Sequence, residues 1–304
     1  SSHELAQGYQ DVKDLSVYVK FKLDADSTRK LCGQDAENVY LLAWTTTPWT
    51  LPGNVALAVG EDIDYVKVAK EGETLILAKE RLAIFGKEHE IKEEIKGKDL
   101  VGLSYESLYD FLHDRKVSPD EQEAWSASLE KAWKVYPASF VNTTEGTGIV
   151  HTAVMYGQDD FELGNAIGLP KYHLVDETGR FIEGLGFLSG RFVREQDENG
   201  KPTLAVDIID DLKKRNLFFN QESYKHSYPH CWRCKTALIY YARTSWYIRM
   251  AGMRDALVKE NEKINWVPEH IREGRFGEWL REVKDWAISR DRYWGTPLPV
   301  WRCA

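Results

Sequence analysis

Six short strand-like runs near the start of the chain constrain its fold more than any other feature of the sequence. They read SVYVKFKL from Ser16, and then NVYLLAW, VALAV, DYVKVA, ETLILA and EIKEEIKG, with turn residues between them. Short runs at this spacing are typical of strands in a compact, mostly antiparallel sheet or barrel. Two more, KVYPASFV and GTGIVHTA, follow an acidic, helix-like insertion over residues 118–133. The sequence therefore predicts a mixed α+β fold with a β-barrel core and peripheral helices.

Helices are predicted around these strands. The residues after Gly157 begin with acids and then turn apolar, which favours a helix that starts near Asp159. Residues 202–216 have an amphipathic pattern with basic residues in the last turn, as a surface helix has. The composition changes near Glu222, and two further helical stretches follow. We therefore assign residues 31–221 to a barrel domain, and residues 1–30 and 222–304 to a second part, called the stem.

Composition narrows the classes of function. The chain has 304 residues, of which 43% are hydrophobic and 29% are charged, as in an ordinary globular protein. No apolar run approaches the length of a membrane span, so no membrane partner is expected. The net charge of −8 argues against a basic surface that binds nucleic acid unaided. Four cysteines are too few for a disulfide scaffold and predict a reducing compartment, the cytoplasm. A first residue other than Met predicts a fragment.

Residues 43–54, AWTTTPWTLPGN, carry three consecutive threonines and two tryptophans. Thr45, Thr46 and Thr47 suit an extended backbone, but Pro48 cannot donate to a sheet ladder. We therefore expect a strand over residues 39–45 that runs out into an irregular segment rich in hydroxyl groups. A segment of this kind is a good place for a binding or catalytic site.

A second candidate segment is GTGIVHTAVMYGQDD, residues 146–160. Gly146 and Gly148 leave room for the close approach of another backbone or of a ligand. His151 ends a predicted strand and Asp160 stands at a predicted helix start, so the two side chains could converge on one pocket. The alternative is structural, because a carboxylate in a first helical turn usually caps the helix and a single histidine at a strand end usually packs. On spacing alone, the structural interpretation is the stronger one.

Taken together, the two segments resemble the editing domain of the isoleucyl-tRNA synthetases, a family of class I aminoacyl-tRNA synthetases. Four other stretches resemble the same family in the same order: SSHELAQGY, SVYVKFKL, SYPHCWRCKTALIYYARTSWYI and DWAISRDRYWGTPLPVW. The valyl and leucyl relatives typically carry TTRPET, whereas Thr47 and Trp49 stand at the arginine and glutamate places here. The H-I-G-H and K-M-S-K-S signatures of ATP handling are absent from the sequence, so the chain is not expected to activate isoleucine by itself.

The resemblance implies a hydrolytic pocket that clears valine wrongly attached to isoleucine tRNA. The partners would be that tRNA bearing valine at its 3′ end, valine or valyl-adenylate, and the rest of the synthetase. Polar side chains would contact the aminoacyl ester and its ribose: Thr45, Thr46, Thr47, Thr50 and Asn54. Trp44 and Trp49 would form the wall, and the glycines at 146 and 148 would leave room for the substrate. His151 would limit the side-chain space, and Asp160 would pair with the α-ammonium group.

Two other functions fit the same residues: a module that docks the tRNA acceptor end without turnover, and the editing domain of a related valyl or leucyl synthetase. No general base is obvious, because internal threonines lack useful basicity at neutral pH. We favour attack by a positioned water molecule, helped by a ribose hydroxyl of the tRNA, with His151 as the second choice of base. The family often has proline where Val154 stands, which predicts a different loop before Asp160.

Cys231 and Cys234 form a C-x-x-C pair, which is half of a four-ligand zinc site. A redox pair is the alternative, but the βαβ context of such pairs is missing. The resemblance implies a second C-x-x-C just upstream of the first residue, and a zinc-ribbon-like stem formed by both chain ends. Zinc is therefore the expected cofactor, with His226 and His230 as less favoured substitutes for the missing ligands. Cys303 resembles the first ligand of a later site.

Overall fold

A computed structural model describes residues 8–86, 89–290, 295–297 and 299–301 of the chain. The chain forms two compact units, which divide between Ala242 and Arg243. In the described part of the chain, no helix combines the length and the apolar character that crossing a membrane requires.

The described part of the first unit contains nine strands. They are β1 (Tyr9–Lys22), β2 (Val39–Thr45), β3 (Ala56–Val59), β4 (Asp64–Lys70), β5 (Glu73–Ala78), β6 (Glu90–Lys96), β7 (Lys134–Pro137), β8 (Ile149–Thr152) and β9 (Phe218–Pro229). Each run that the sequence offers as a strand overlaps one of β1 to β8, so the prediction of these strands is confirmed.

Short helices connect these strands. They are α1 (Ala25–Cys32), α2 (Gly97–Leu100), α3 (Gln122–Leu129), α4 (Gln158–Ile167) and α5 (Leu204–Lys214), with 3₁₀ segments at Pro48–Gly53, Lys79–Phe85 and Gly186–Leu188. The helices predicted near residue 159 and over residues 202–216 are confirmed as α4 and α5. The second unit contains β10 (Tyr247–Ile248), α6 (Arg254–Glu262), α7 (Arg275–Arg281) and β11 (Trp286–Ala287), and β10 pairs antiparallel with β11.

Two open sheets, rather than one barrel, are formed by the strands of the first unit. Six strands form one sheet in the order β6-β4-β5-β2-β1-β9, and β7-β3-β8 form the other. β2 pairs parallel with β5, β3 pairs parallel with β7, and the other neighbours are antiparallel. The predicted mixture of helices and strands is confirmed, but no closed barrel forms among the described residues. Strand β6 gives the physical reason, since its EIKEEIK side chains are mostly charged and exposed, as those of an edge strand are.

The larger sheet buries side chains on both of its faces. In β2, Leu41 and Ala43 belong to the main core, whereas Tyr40 and Leu42 belong to a smaller cluster on the opposite face. Because side chains alternate along a strand, the last residues of β2 divide in the same way. Thr45 therefore lies on the main-core face of the sheet.

β1 and β9 form the longest ladder of the fold and bring the two parts of the predicted stem together. Their antiparallel pairing runs from Tyr9 opposite Pro229 to Val19 opposite Phe218. The predicted boundary near residue 222 therefore falls inside β9, and the compact unit continues to Ala242. The division into barrel and stem domains remains a proposal, and the first seven residues of the stem lie outside the described residues.

The two candidate segments lie side by side in this fold. β2 ends at Thr45 and leads into the 3₁₀ segment Pro48–Gly53, while β8 carries His151 and leads through a short turn into α4. The backbone N–H of Val55 donates to the carbonyl of Thr152 at 3.0 Å, which joins the end of one segment to the end of the other.

Helix α4 packs on the turn before it through a glycine. A Cβ on Gly164 would lie 2.6 and 2.7 Å from the two γ-methyl carbons of Val154, so the valine side chain occupies the space that a larger residue would need. Val154 is itself 2% exposed. The valine that departs from the family pattern therefore forms part of the contact that positions α4.

Gly164→Ala should lower the free energy of unfolding by about 1–3 kcal/mol, because the new methyl group overpacks this contact. Denaturant unfolding measures the change, and Val154→Ala in the same chain should recover part of it. Asn165→Ala, on the exposed side of the same helix, is the matched control and should change stability by less than about 0.5 kcal/mol. A stabilised Gly164→Ala variant, as helix propensity alone predicts, would contradict the close packing.

Candidate functional site

The hydroxyl groups of the threonine segment are ordered by the local backbone. The N–H of Thr47 donates to Oγ1 of Thr45 at 3.1 Å, and the two hydroxyl oxygens lie 3.2 Å apart. Thr50 donates its hydroxyl hydrogen to the carbonyl of Thr47 at 2.9 Å, as a residue inside a 3₁₀ turn can. The hydroxyls of Thr45, Thr47 and Thr50 thus form one connected group.

His151 connects this group to the rest of the fold through both of its ring nitrogens. Its Nε2 lies 2.8 Å from Oγ1 of Thr50, and its Nδ1 lies 3.2 Å from Nδ2 of Asn54. Asn54 also accepts a hydrogen bond of 2.7 Å from the hydroxyl of Tyr105 and donates one of 2.9 Å to the carbonyl of Ala56. The imidazole, hydroxyl and amide therefore form a single buried network.

The network fixes which nitrogen of His151 carries the proton. The carbonyl oxygen of Asn54 accepts from Tyr105, so its amide nitrogen faces His151 and must donate to Nδ1. The proton of a neutral imidazole then lies on Nε2, which donates to Thr50. Burial lowers the pKa of His151 from its ordinary value of 6.5 to about 4. The neutral ring has no free lone pair with which to accept a proton from water.

Asp160 is a negatively charged side chain held by the segment that carries His151. It lies in the first turn of α4, but its Oδ2 accepts from the N–H of Ala153, just after β8, at 2.9 Å. Burial raises the pKa of Asp160 to about 6, the hydrogen bond from Ala153 opposes that rise, and the charge of Asp159 adds to it. At neutral pH the side chain is a carboxylate that is partly shielded from water, which is suited to pairing with a cation.

Trp49 forms the wall of a small cavity of about 80 Å³ beside the threonine segment. Thr46, Thr47 and Trp49 line one side, and residues 193–196 line another. Trp49 is 5% exposed, and its indole N–H has no hydrogen-bond partner among the described residues. His151 and Asp160 do not line this cavity.

Trp44 and the two glycines do not join this group. The ring of Trp44 packs against Tyr18 and, edge-on at 5.0 Å, against Tyr224, on the face of the sheet opposite to Thr45. A Cβ on Gly146 would lie 3.1 Å from the Trp44 ring, and one on Gly148 would lie 2.5 Å from Cβ of Ala78. In both cases the close neighbour of the glycine belongs to the protein itself.

Two residues at the site were missed by the sequence reasoning. Tyr105, whose hydroxyl orients Asn54, lies far away in the sequence within a segment that carries no motif. Arg194 lines the cavity of Trp49, and its guanidinium donates to Oδ1 of Asp14 at 2.9 Å. Neither residue has a local sequence signal, because each reaches the site through tertiary packing.

The cysteine pair lies in a turn that directly follows β9. The N–H of Lys235 donates to the carbonyl of Cys231 at 2.8 Å, and hydrogen bonds with Thr236 and with the Cys231 thiol lower the pKa of Cys234 to about 7. Such thiols suit zinc, but a structural zinc ion takes four ligands. His226 instead contacts Oδ2 of Asp14 at 3.0 Å.

His230 places its Nδ1 2.9 Å from the carbonyl of Tyr228, so it too has a partner within the protein. Across residues 8–86, 89–290, 295–297 and 299–301, no group of three or more His, Cys, Asp or Glu side chains could hold a metal ion. These donors do not fit a complete zinc site. Cys303, proposed as a ligand of a later site, lies outside the described residues.

Comparison with known proteins places these residues in a family context. The family described as tRNA synthetases class I (I, L, M and V) matches residues 3–304. The isoleucine–tRNA ligases of Clostridium acetobutylicum and Clostridium tetani are each 46% identical to this chain, over 303 and 304 residues. Each alignment covers 100% of the chain but 26% of the ligase, so the chain spans about a quarter of the length of these relatives.

Solved structures give weaker similarities. The crystal structure of GlLeuRS-CP1 is 16% identical with a TM-score of 0.49, and the match covers 68% of this chain and 98% of that one. The editing domain of the P. knowlesi cytosolic leucyl-tRNA synthetase is 18% identical with a TM-score of 0.37, over 51% of this chain and 63% of that one.

At pH 7, His151 should be neutral with its proton on Nε2, because burial and the Asn54 amide both disfavour the imidazolium. Long-range ¹H–¹⁵N correlation spectra distinguish the tautomers, and His151→Gln assigns the signal. Asn54→Asp should place a carboxylate beside Nδ1 and raise the pKa of the ring. Asn54→Leu, which adds no charge, is the control and should leave the ring neutral. An imidazolium at pH 7 in the unsubstituted chain would contradict the hydrogen-bond assignment.

The purified chain should hold less than one equivalent of zinc, because two thiolates leave a tetrahedral site half filled. Mass spectrometry of the metal content measures occupancy, with the Cys231→Ser/Cys234→Ser variant as the blank. Adding the upstream C-x-x-C that the family resemblance implies should raise occupancy. Tight stoichiometric zinc in the present chain would show instead that the ligand set is complete within it.

Proposed function

Since the chain belongs to the class I tRNA synthetases (I, L, M and V), we propose that it is an editing domain that hydrolyses the ester of valine mischarged on isoleucine tRNA. One observation carries this proposal. The threonine segment is distant in the sequence from the segment that carries the neutral His151 and the carboxylate of Asp160, and the two segments adjoin in the fold. The 46% identity to isoleucine–tRNA ligases supports the choice of tRNA. The domain would work in the cytoplasm within a whole synthetase.

The charges of the site suit an aminoacyl ester. The α-ammonium group of the substrate would pair with Asp160, whose Oδ2 is tied to Ala153 and whose position is therefore fixed. A charge-assisted hydrogen bond of this kind contributes about 1.5–3 kcal/mol. The hydroxyls of Thr46 and Thr47, which line the cavity beside Trp49, would supply hydrogen bonds for the ester and ribose oxygens.

Selection of valine would operate by exclusion. Valine is isoleucine without one methylene group, and forcing a methylene into a well-packed site costs about 1–3 kcal/mol. Trp49 and His151 are both almost completely buried and held by neighbours, so neither can yield easily to a larger side chain. The rigidity of the Trp49 ring, which lines the cavity, would be the main physical basis for rejecting isoleucine.

Hydrolysis would use a positioned water molecule. His151 is already bonded at both nitrogens, which disfavours it as general base. The threonine hydroxyls can orient water and stabilise the oxyanion of the tetrahedral intermediate, and a ribose hydroxyl of the tRNA can take part in proton transfer. The two alternatives, a docking module without turnover and an editing domain for a valyl or leucyl synthetase, differ from this proposal in measurable rates.

The chain should deacylate Val-tRNA(Ile) faster than Ile-tRNA(Ile), by roughly 5- to 150-fold if exclusion costs about 1–3 kcal/mol. Release of radiolabelled amino acid measures both rates. No turnover of either ester above the buffer rate would favour the docking module. Equal rates for the two esters would contradict the exclusion argument, and a preference for a mischarged valine or leucine tRNA would favour the other editing domains.

Asp160→Asn should lower kcat/KM for the valyl ester by roughly ten- to a hundredfold, because it removes a charge-assisted contact while keeping the shape. The rate of the unsubstituted chain should rise with pH through about 6, as Asp160 loses its proton and can attract the ammonium group. Asp160→Asn should lack that rise. Asp159→Asn, one residue earlier on the exposed side of the helix, is the matched control and should retain nearly full activity.

A further inference from the structure

Trp49, the wall residue, is held by a side chain to which the family resemblance assigns no role. The ring of Tyr156 meets the ring of Trp49 edge-on, with the centroids 5.1 Å apart and the planes at 66°. Tyr156 lies on the turn between β8 and α4, the same turn that joins His151 to Asp160. A contact therefore runs from the segment that carries the histidine and the carboxylate to the wall of the cavity.

Tyr156 is itself fixed at its far end. Its hydroxyl accepts hydrogen bonds from the backbone N–H groups of Leu174, at 2.8 Å, and of Val175, at 3.0 Å. The side chain is 8% exposed. With two amides holding the hydroxyl, the ring cannot swing away from Trp49 without leaving two buried donors unpaired.

The same ring also touches the other end of the 3₁₀ segment Pro48–Gly53. A Cβ on Gly53 would lie 3.4 Å from Cε2 of Tyr156, so the ring packs directly over this glycine. Tyr156 thus contacts the start of the segment at Trp49 and its end at Gly53. The ring of Tyr156 therefore packs against both ends of the 3₁₀ segment that carries Trp49.

We propose that Tyr156 is a positioning residue that sets amino-acid specificity by fixing Trp49. The inference rests on the editing function proposed above. A pocket can exclude one methylene only if its wall does not move, and an edge-on aromatic contact restrains the indole. Tyr156 does not touch the reacting ester. Its effect is on the shape of the pocket, and so on which ester enters.

A purely structural role for Tyr156 has a different consequence. If the tyrosine only stabilised the fold, its loss would lower the active fraction and reduce the rates with both esters by the same factor. If it fixes the wall, its loss would raise the rate with the larger ester relative to the smaller one. The ratio of the two kcat/KM values therefore separates the two roles, because the active fraction cancels.

The test compares Tyr156→Leu with Tyr156→Phe on Val-tRNA(Ile) and Ile-tRNA(Ile). Tyr156→Leu removes the ring, and the preference for the valyl ester should fall by roughly three- to tenfold through a gain of isoleucyl hydrolysis. Tyr156→Phe keeps the ring and loses only the hydroxyl, so it should retain most of the preference despite a lower melting temperature. Should Tyr156→Leu fail to fold by circular dichroism, Tyr156→Met carries the same expectation with a longer side chain.

A double-mutant cycle tests whether Tyr156 acts through Trp49. In a Trp49→Leu background the wall is already lost, so adding Tyr156→Leu should leave the ratio unchanged. A preference retained in Tyr156→Leu, or an equal loss with both esters, would overturn this inference alone. A wild-type chain that hydrolyses neither ester, or both at one rate, would overturn the proposed function and this inference with it.

Discussion

The burial of one neutral imidazole organises this site. His151 is 7% exposed, and each of its ring nitrogens is bonded to a side chain of the segment that follows β2. An unpaired polar nitrogen in such a place would cost about 1–3 kcal/mol, so the bonds to Thr50 and Asn54 are a condition of packing the ring there at all. The orientation of Asn54 in turn depends on the hydroxyl of Tyr105. Of the threonine hydroxyls, that of Thr50 is held both by the local backbone and by His151.

The same network divides the chemistry among the residues. Because His151 is fully bonded and neutral, the one carboxylate of the group, Asp160, is left as the charge that can recognise an ammonium ion. The threonine hydroxyls, which carry no charge, are left to orient water and oxygen atoms. A site of this composition is better suited to binding and positioning a substrate than to transferring protons. This suits the proposed hydrolysis of an ester that is already activated.

Most strands and helices of the first unit can be predicted from the sequence, whereas the contacts between distant segments cannot. Alternating runs located eight strands, and the acidic start of α4 located its first turn. The alternation of side chains along β2 also indicates that Trp44 faces away from Thr45, although the family resemblance gives Trp44 and Trp49 the same role. Closure of a barrel was a wrong expectation for the described residues, because it requires the end strands β6 and β9 to pair, and the charged, exposed EIKEEIK pattern of β6 is that of an edge strand. Tyr105, Arg194 and the brace at Tyr156 reach the site from segments without a motif, so only the folded chain brings them there.

The opposite pKa shifts of His151 and Asp160 have a consequence for how the fold responds to acid. In an unfolded chain at about pH 5, His151 would be protonated, because its ordinary pKa is 6.5. Asp160 would be deprotonated, because its ordinary pKa is 3.8. In the folded chain the pKa values are about 4 and about 6, so the proton lies on the aspartate instead. The lowered pKa of His151 makes the free energy of unfolding rise with pH over this window. The raised pKa of Asp160 makes it fall. Folding thus transfers one proton from His151 to Asp160, with no net uptake or release of protons. The two opposite pH dependences of the free energy of unfolding therefore cancel near about pH 5, whereas a single buried ionisable group would make stability depend on pH.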